Sequence, residues 1–209
     1  MSVDKKLIVD FEKDIAEIYE RGDIRGAIHL RNGNEETLID IFKAVNTSFD
    51  YVYSTWANHV HALLKGIPPE KVKQRILDGN SMAMNFPEYR FYTSAIVGGI
   101  CPIAVGTAYS IKRSAGSNRA YCFLGDMAFR TGIAHESIMY SLSHDLPITF
   151  VIEDNGKSVG TPTQDCWGAI NIHSLLEFYN NQIQDSCRII YYEYNLDYPH
   201  SGTGTFVSF

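Results

Sequence analysis

Gly125-Asp126 closes one apolar run, residues 119–124, and Glu153-Asp154-Asn155-Gly156 closes the next, residues 147–152. Both turns carry oxygen. An aspartate carboxylate from the first, with an asparagine amide oxygen and a backbone carbonyl from the second, would suit a hard divalent cation. Magnesium takes such ligands and commonly completes its shell with waters and phosphate oxygens. A helix starting just after Asp126 would aim free N–H groups at a diphosphate. The spacing alone is equally consistent with two turns that merely cap the helices after them, as Asp and Asn often do.

The elements that must position these turns alternate. The apolar runs at 119–124 and 147–152 read as short strands. Between them lies a helix with Ile133, Ile138, Met139 and Leu142 as core positions; a helix near 172–179 and a strand near 188–194 follow. This alternation predicts an α/β fold, a parallel sheet flanked by helices. The right-handed crossover rule then puts both acidic strand ends on one edge of the sheet, where ligands of open parallel sheets bind. Upstream, Ile8, Phe11, Ile15 and Ile18 step by threes and fours, marking an amphipathic helix that Gly22 ends. A second helix is expected over 34–45, with Asn34 as its cap. Another starts at Pro68-Pro69-Glu70 and uses Val72, Ile76 and Leu77. Residues 88–93 read as irregular, and 99–113 as a buried helix.

With 209 residues, 45% hydrophobic and 20% charged, the chain has the apolar mass for a core of its own, and residues 1–209 are expected to form a single domain. Disorder, a collagen-like fibre and a disulfide scaffold are excluded. A net charge of −6 argues against nucleic acid, which needs clustered Lys and Arg. No apolar run approaches the roughly 18 residues that span a bilayer. The first residues, MSVDKKLIVDFEKD, put acids where a secretory signal has its apolar core. Cys101, Cys122, Cys166 and Cys187 form no Cys-x-x-Cys pair, so reduced thiols and a cytoplasmic location are expected.

At several points the chain resembles one family. Gly125-Asp126-Met127-Ala128 through Glu153-Asp154-Asn155 is similar to the thiamine-diphosphate motif, written GDG, about thirty residues, then NN. More specifically, the chain resembles the alpha subunit of thiamine-dependent 2-oxo acid dehydrogenases of the pyruvate and acetoin type. Ile24-Arg25-Gly26-Ala27-Ile28-His29-Leu30 resembles the family segment IRG-x-x-HL. Ser54-Thr55-Trp56-Ala57-Asn58-His59-Val60-His61, then Lys65-Gly66, is similar to ST-x-R-x-HGH…KG. Asn80-Ser81-Met82-Ala83-Met84 resembles GGSMHM, and Ile96-Val97-Gly98-Gly99 resembles IVGA. EDNGKSVGT at 153–161 is similar to ENN-x-YGMGT, and Tyr198-Pro199-His200-Ser201-Gly202 to YHGHS.

The resemblance implies roles residue by residue. Asp126 and the Asn155 side chain would bind Mg2+, with the Lys157 carbonyl as third protein ligand. Gly125, Met127 and Ala128 would lie at the diphosphate, and the backbone of Ala95 and Val97 would touch the aminopyrimidine. His29, His59 and His200 match histidines on the approach to the thiazolium, where a small carbonyl substrate is held or protons move; His61 matches too, with its role open. Two departures stand out. Met127 replaces the third motif glycine, and Ala57 replaces the family's diphosphate-binding arginine, beside a bulky Trp56. Arg130 is a candidate replacement cation.

In this family the cofactor lies between two α/β domains, one holding diphosphate and metal, the other holding the aminopyrimidine and supplying a glutamate that drives ylid formation. Nothing in the sequence resembles the second. A separate beta-like chain is therefore expected to supply it, two copies of each forming a heterotetramer, and this chain is expected to be a pared-down alpha subunit. The activity implied is decarboxylation of a 2-oxo acid with transfer of the acyl or aldehyde fragment. The alternatives are a transketolase-like two-carbon ketol transfer and a degenerate, non-catalytic scaffold subunit.

Overall fold

The computed structural model describes residues 3–168 and 171–208; Met1 and Ser2, which open the N-terminal segment read above, lie outside it. Its internal contacts divide the chain into two compact units. One comprises residues 1–49, 54–95 and 194–209, the other residues 50–53 and 96–193.

The first unit is helical. Helix α1 (Lys5–Glu20) starts at Asp4, whose carboxylate accepts the Leu7 N–H, and buries the stripe Ile8, Phe11, Ile15 and Ile18. Each such side chain contributes about 1.5–3 kcal/mol relative to exposure. Gly22, at φ +82°, lets the chain leave the helix. Then come α2 (Glu35–Phe42), α3 (His59–Leu64) and α4 (Pro69–Leu77). Asn34 does occupy the cap position of α2, but its side chain makes no capping hydrogen bond. α4 begins at Pro69, where the missing N–H costs nothing. Residues 88–93 are more ordered than the sequence implied. A 3-10 turn over Pro87–Tyr89 leads through left-handed Arg90 into the short strand β2 (Phe91–Thr93), and Phe86 pairs with Phe91 across it.

The second unit holds the parallel sheet. Strands β1 (Tyr51–Ser54), β3 (Ala120–Gly125), β4 (Ile148–Asp154) and β7 (Arg188–Glu193) run side by side in the order β1-β3-β4-β7, all parallel. Register pairs Gly125 with Glu153, so the two oxygen-bearing turns leave the same sheet edge side by side. β3 and β4 are buried along nearly their whole length, which is why they read as unbroken apolar runs. Helices α5 (Ile100–Arg113) and α7 (Gly132–Ser143) pack on one another, and α5 also packs on β3 and β4. Ile138 and Leu142 are core residues as expected, but Ile133 and Met139 are exposed: the buried face of α7 also takes Ala134, Ser137 and Ser141, so apolar and small polar residues are mixed on both faces. α5 likewise exposes Ile103 and Tyr109 instead of being buried throughout.

The turn after β3 is one helical turn, α6 (Asp126–Phe129), and α7 starts separately at Thr131, whose hydroxyl caps it. The helix expected just after Asp126 is present as this single turn, with no side-chain cap at Gly125, and the longer α7 follows it. After β4, strands β5 (Lys157–Ser158) and β6 (Thr161–Pro162) form a hairpin. Helices α8 (Thr163–Trp167) and α9 (Ile172–Asn180) complete the unit.

Candidate functional site

In the second unit, α6 packs against β4 and β5, so Gly125, Asp126, Met127 and Ala128 stand beside the turn that carries Asn155 and Lys157. Asp126 is 2% exposed. Burial pushes its carboxyl up to about 6, opposed by the Thr163 hydroxyl and reinforced by the nearby charge of Asp154. Thr163 donates to Asp126 Oδ2, and the backbone amides of Asp126 and Met127 also hydrogen-bond the carboxylate. Asn155 Oδ1 accepts the Lys157 N–H at 3.1 Å, closing a small turn that leaves the oxygen a second lone pair. Thr163 N–H bonds the Gly156 carbonyl at 2.9 Å, so the β5–β6 hairpin folds back on the turn and delivers the Thr163 side chain to Asp126. The spacing of the sequence did not mark Thr163. The signal that could have found it is the Val159-Gly160 turn between two short extended pairs, with Val159 at φ +57°.

The neighbours of this turn are also committed. Tyr191 donates to Asp154 Oδ2 at 2.7 Å, and Tyr192 donates to Glu153 Oε1 at 2.6 Å. Trp167 Nε1 donates to the sulfur of Met127 at 2.8 Å, so the residue in place of the third motif glycine is itself held. Val97, 47% exposed, follows Ile96, which is still more open at 74%, and Gly98 turns left-handed at φ +69°. Arg130 is buried, and its charge acts on His135, lowering that ring's proton affinity after burial has done so.

The first unit gathers the histidines. His29 and His200 meet edge to face with ring centroids 4.9 Å apart, and Trp56 lies about 6 Å from both, at 6.0 and 6.1 Å. The segment around His200 is tied down by Gly202 N–H to the Ile28 carbonyl at 2.9 Å, by Asn32 and Asp197 in mutual hydrogen bonds, and by Arg31 to the Tyr194 hydroxyl at 3.2 Å. His29 is 6% exposed, and its Nδ1 has no hydrogen-bond partner among the described residues. Burial, then the neighbouring His200, His59 and Arg31, lower its proton affinity to a pKa of about 4, so the ring is neutral near pH 7. Burial lowers His200 as well. His59 is fully enclosed between Glu12 and Ser81. His61 bonds Ser54 through Nδ1 at 2.7 Å and stacks on Phe42, a packing role. Ala95, in this unit, is exposed. Ala57 presents its carbonyl to Arg31 Nε at 2.9 Å. Glu12 escaped the sequence reading, although an acid four residues after Ile8 and three before Ile15, on the apolar stripe of α1, was the available signal. A cavity of about 480 Å³ opens beside Glu12 and Arg31, with Lys13, Asn32, Asp197 and Tyr198 on its walls.

The dehydrogenase E1 component family matches residues 3–170, and the chain belongs to that family. It is 30% identical over 168 residues to the pyruvate dehydrogenase E1 component subunit alpha of Rickettsia bellii, covering 76% of this chain and 51% of that one. To the chloroplastic subunit alpha-3 of Oryza sativa it is 32% identical over 169 residues, covering 72% and 40%. The chain thus spans about half the length of the curated relatives it matches. Among solved structures, a protein from Mycobacterium smegmatis described as a thiamin diphosphate-dependent enzyme superposes with a TM-score of 0.54 at 14% identity, over 81% of this chain and 33% of that one. That likeness concerns the fold: a parallel sheet flanked by helices.

Proposed function

We propose that this chain carries the diphosphate and metal half of a thiamine-diphosphate site and works as the alpha-like part of an enzyme that decarboxylates a 2-oxo acid. The observation that carries the reading is Asp126: a buried carboxylate at the carboxyl end of β3, beside the Asn155 turn, its proton affinity raised by burial. A cation relieves such a group. The donor set of one carboxylate, one amide oxygen and one backbone carbonyl, from Asp126, Asn155 and Lys157, is the hard-oxygen type that suits Mg2+. The residues fit the group.

Bound there, thiamine diphosphate would supply the electron sink after its addition to a carbonyl carbon. The chain's own residues do the rest. Asp126, oriented by Thr163, and Asn155 would hold Mg2+, and Gly125, Met127 and Ala128 would line the diphosphate. Ala95 and Val97 offer backbone to the aminopyrimidine. His29, neutral near pH 7, and His200 hold a small carbonyl substrate or move its protons, with His59 behind them. In this reading residues 1–209 act as one thiamine-diphosphate-binding domain in a cytoplasmic heterotetramer with a beta-like subunit, which supplies the aminopyrimidine side. No helix among the described residues is long and apolar enough to cross a membrane. Ala57 favours a second reading, a non-catalytic scaffold, because its methyl group offers a diphosphate no cation.

The test is calorimetry with thiamine diphosphate, with and without Mg2+, on the chain purified together with the product of its genomic neighbour, followed by 2-oxo acid turnover. Magnesium-dependent binding and turnover are expected. Binding without turnover of any 2-oxo acid moves the function to ketol transfer, and absence of binding leaves the scaffold reading.

A further inference from the structure

The cavity beside Glu12 and Arg31 is built entirely within the first unit, by three segments. One face of α1 supplies Val9, Glu12 and Lys13, spaced by three and four residues. The loop into α2 supplies a second wall from residues 31–35, and the C-terminal segment supplies Asp197, Tyr198 and Pro199. The last two walls are stitched together. Asn32 and Asp197 exchange hydrogen bonds of 2.9 and 3.0 Å, and Arg31 reaches the Tyr194 hydroxyl. Gly33, at φ +84°, passes so close to the Asn195 carbonyl that a Cβ would collide with it. At about 480 Å³ the cavity has the size of a small-molecule site.

Its walls carry charges of both signs, and only some of them are used by the fold. Glu12 is engaged at both oxygens, by the Arg31 N–H and by His59, and Arg31 is engaged by the Ala57 carbonyl and Tyr194. Glu35 is 7% exposed. Its Oε1 accepts the Gly33 N–H at 3.2 Å, while Oε2 has no hydrogen-bond partner among the described residues and is not sealed from solvent. Asp197 gives only Oδ2 to Asn32. Lys13 makes no hydrogen bond or ion pair with any described residue, and the Tyr198 hydroxyl makes no hydrogen bond with one. Burial, then the charges of Glu12 and Glu20, strengthens that hydroxyl's hold on its proton and keeps it a donor.

Opposite charges that line one cavity without touching leave a gap for a ligand that carries both. We propose that this cavity binds a free α-amino acid with an apolar side chain, its carboxylate taken by Lys13 and the Tyr198 hydroxyl and its ammonium by Glu35 and Asp197. Val9 and Pro199 give the side chain an apolar wall. A simple carboxylate would meet the two acids and a simple amine would meet Lys13, so each half of the ligand alone is opposed by the group that receives the other half. The site goes beyond the proposed function and does not depend on it.

The test is calorimetry on the full chain without thiamine diphosphate, using three probes of one carbon skeleton. L-Leucine carries both charges, 4-methyl-2-oxopentanoate lacks the ammonium, and 3-methylbutylamine lacks the carboxylate. L-Leucine is expected to bind at least about tenfold more tightly than either, because each truncated probe leaves charged hydrogen-bonding groups unmatched. Equal affinity for the oxo acid would make the cavity a plain anion pocket, and equal affinity for the amine a plain cation pocket. Either result overturns the proposal, as does the absence of binding with L-leucine, L-valine and L-phenylalanine alike.

Two variants locate the ligand. Lys13→Met keeps the length of an exposed side chain and removes its charge. Glu35→Gln keeps an acceptor for the Gly33 N–H and removes the charge offered to the ammonium. Each is expected to weaken L-leucine at least about tenfold, with urea unfolding unchanged. Full affinity in either folded variant puts the binding elsewhere and overturns the proposal. Should Glu35→Gln not fold, Lys13→Met and Asp197→Asn decide it by the same measure. An assembly that binds no thiamine diphosphate, in a chain that still selects L-leucine, would remove the proposed function and leave this site standing.

Discussion

The Thr163 hydroxyl donates to Oδ2 of Asp126 from the far end of a hairpin, so the loop after β4 orients the carboxylate at the end of β3. Groups that orient a metal ligand typically change metal affinity by about 10–100-fold when removed. Thr163→Val should therefore weaken magnesium-dependent thiamine-diphosphate binding by about that factor, while Asp126→Ala should abolish it. Calorimetry at several magnesium concentrations separates the two, and equal affinity in Thr163→Val would show that the hydroxyl is not part of the site.

His29 gives a pH signature. Its ring ordinarily titrates near 6.5, and burial, followed by His200, His59 and Arg31, lowers it to about 4 in the folded chain. Between those values the unfolded chain binds the extra proton. Stability therefore rises with pH through this window: the contribution is complete above 6.5 and is lost as the pH falls toward 4. The gap amounts to at most about 3 kcal/mol. In urea unfolding, His29→Gln should flatten the stability difference between pH 7 and pH 4 by up to that amount. An undiminished slope would place the acid sensitivity elsewhere.

Gly98 is constrained twice. It lies at φ +69°, and a Cβ there would come within 2.5 Å of Ile133 Cγ2 and 2.8 Å of the Thr131 hydroxyl that caps α7. A left-handed backbone alone costs an L-residue about 1–2 kcal/mol, and overpacking adds a similar amount. Gly98→Ala should lower stability by about 2–4 kcal/mol, visible as a shifted unfolding midpoint. A loss below about 0.5 kcal/mol would mean that Ile133, half open to solvent, simply swings away.

Ala57→Arg asks whether the missing cation matters. A hydrogen bond to a charged group is worth about 1.5–3 kcal/mol. If Trp56 and the Arg31 contact leave room, the restored arginine should tighten thiamine diphosphate by roughly tenfold or more. A weaker complex would point to another cation at that place, with Arg130 the first to replace.

The parallel sheet was legible because β3 and β4 are buried on both faces and leave apolar runs that end in turn residues. The pairing of Gly125 with Glu153 follows from that topology. Less legible were elements whose signal is shared or short. β1 hides in Tyr51-Val52-Tyr53-Ser54, too brief to show a period, and α3 carries two histidines that read as chemistry before they read as helix. The exposed Ile133 and Met139 misled for a physical reason: α7 buries Ser137 and Ser141 while leaving Ile133, Met139 and Tyr140 open, so apolar periodicity could not choose its buried face. His59 was recognisable by type and motif, yet its enclosure depends on Glu12 and Ser81, which lie far from it in sequence and meet it only in the fold.

The two tryptophans have an optical consequence. Trp56 rests against His29 and His200, and Trp167 hydrogen-bonds Met127 beside Asp126. The chain has no others. Each compact unit therefore carries one tryptophan at its own candidate cluster, selectively excited beyond the tyrosine band, with a potential quencher, imidazole or thioether, beside it. Trp56→Phe and Trp167→Phe would yield single-colour reporters, one for the histidines and one for the metal turn. Titrating each with magnesium, thiamine diphosphate or a 2-oxo acid would report which cluster responds to which ligand, with no label added.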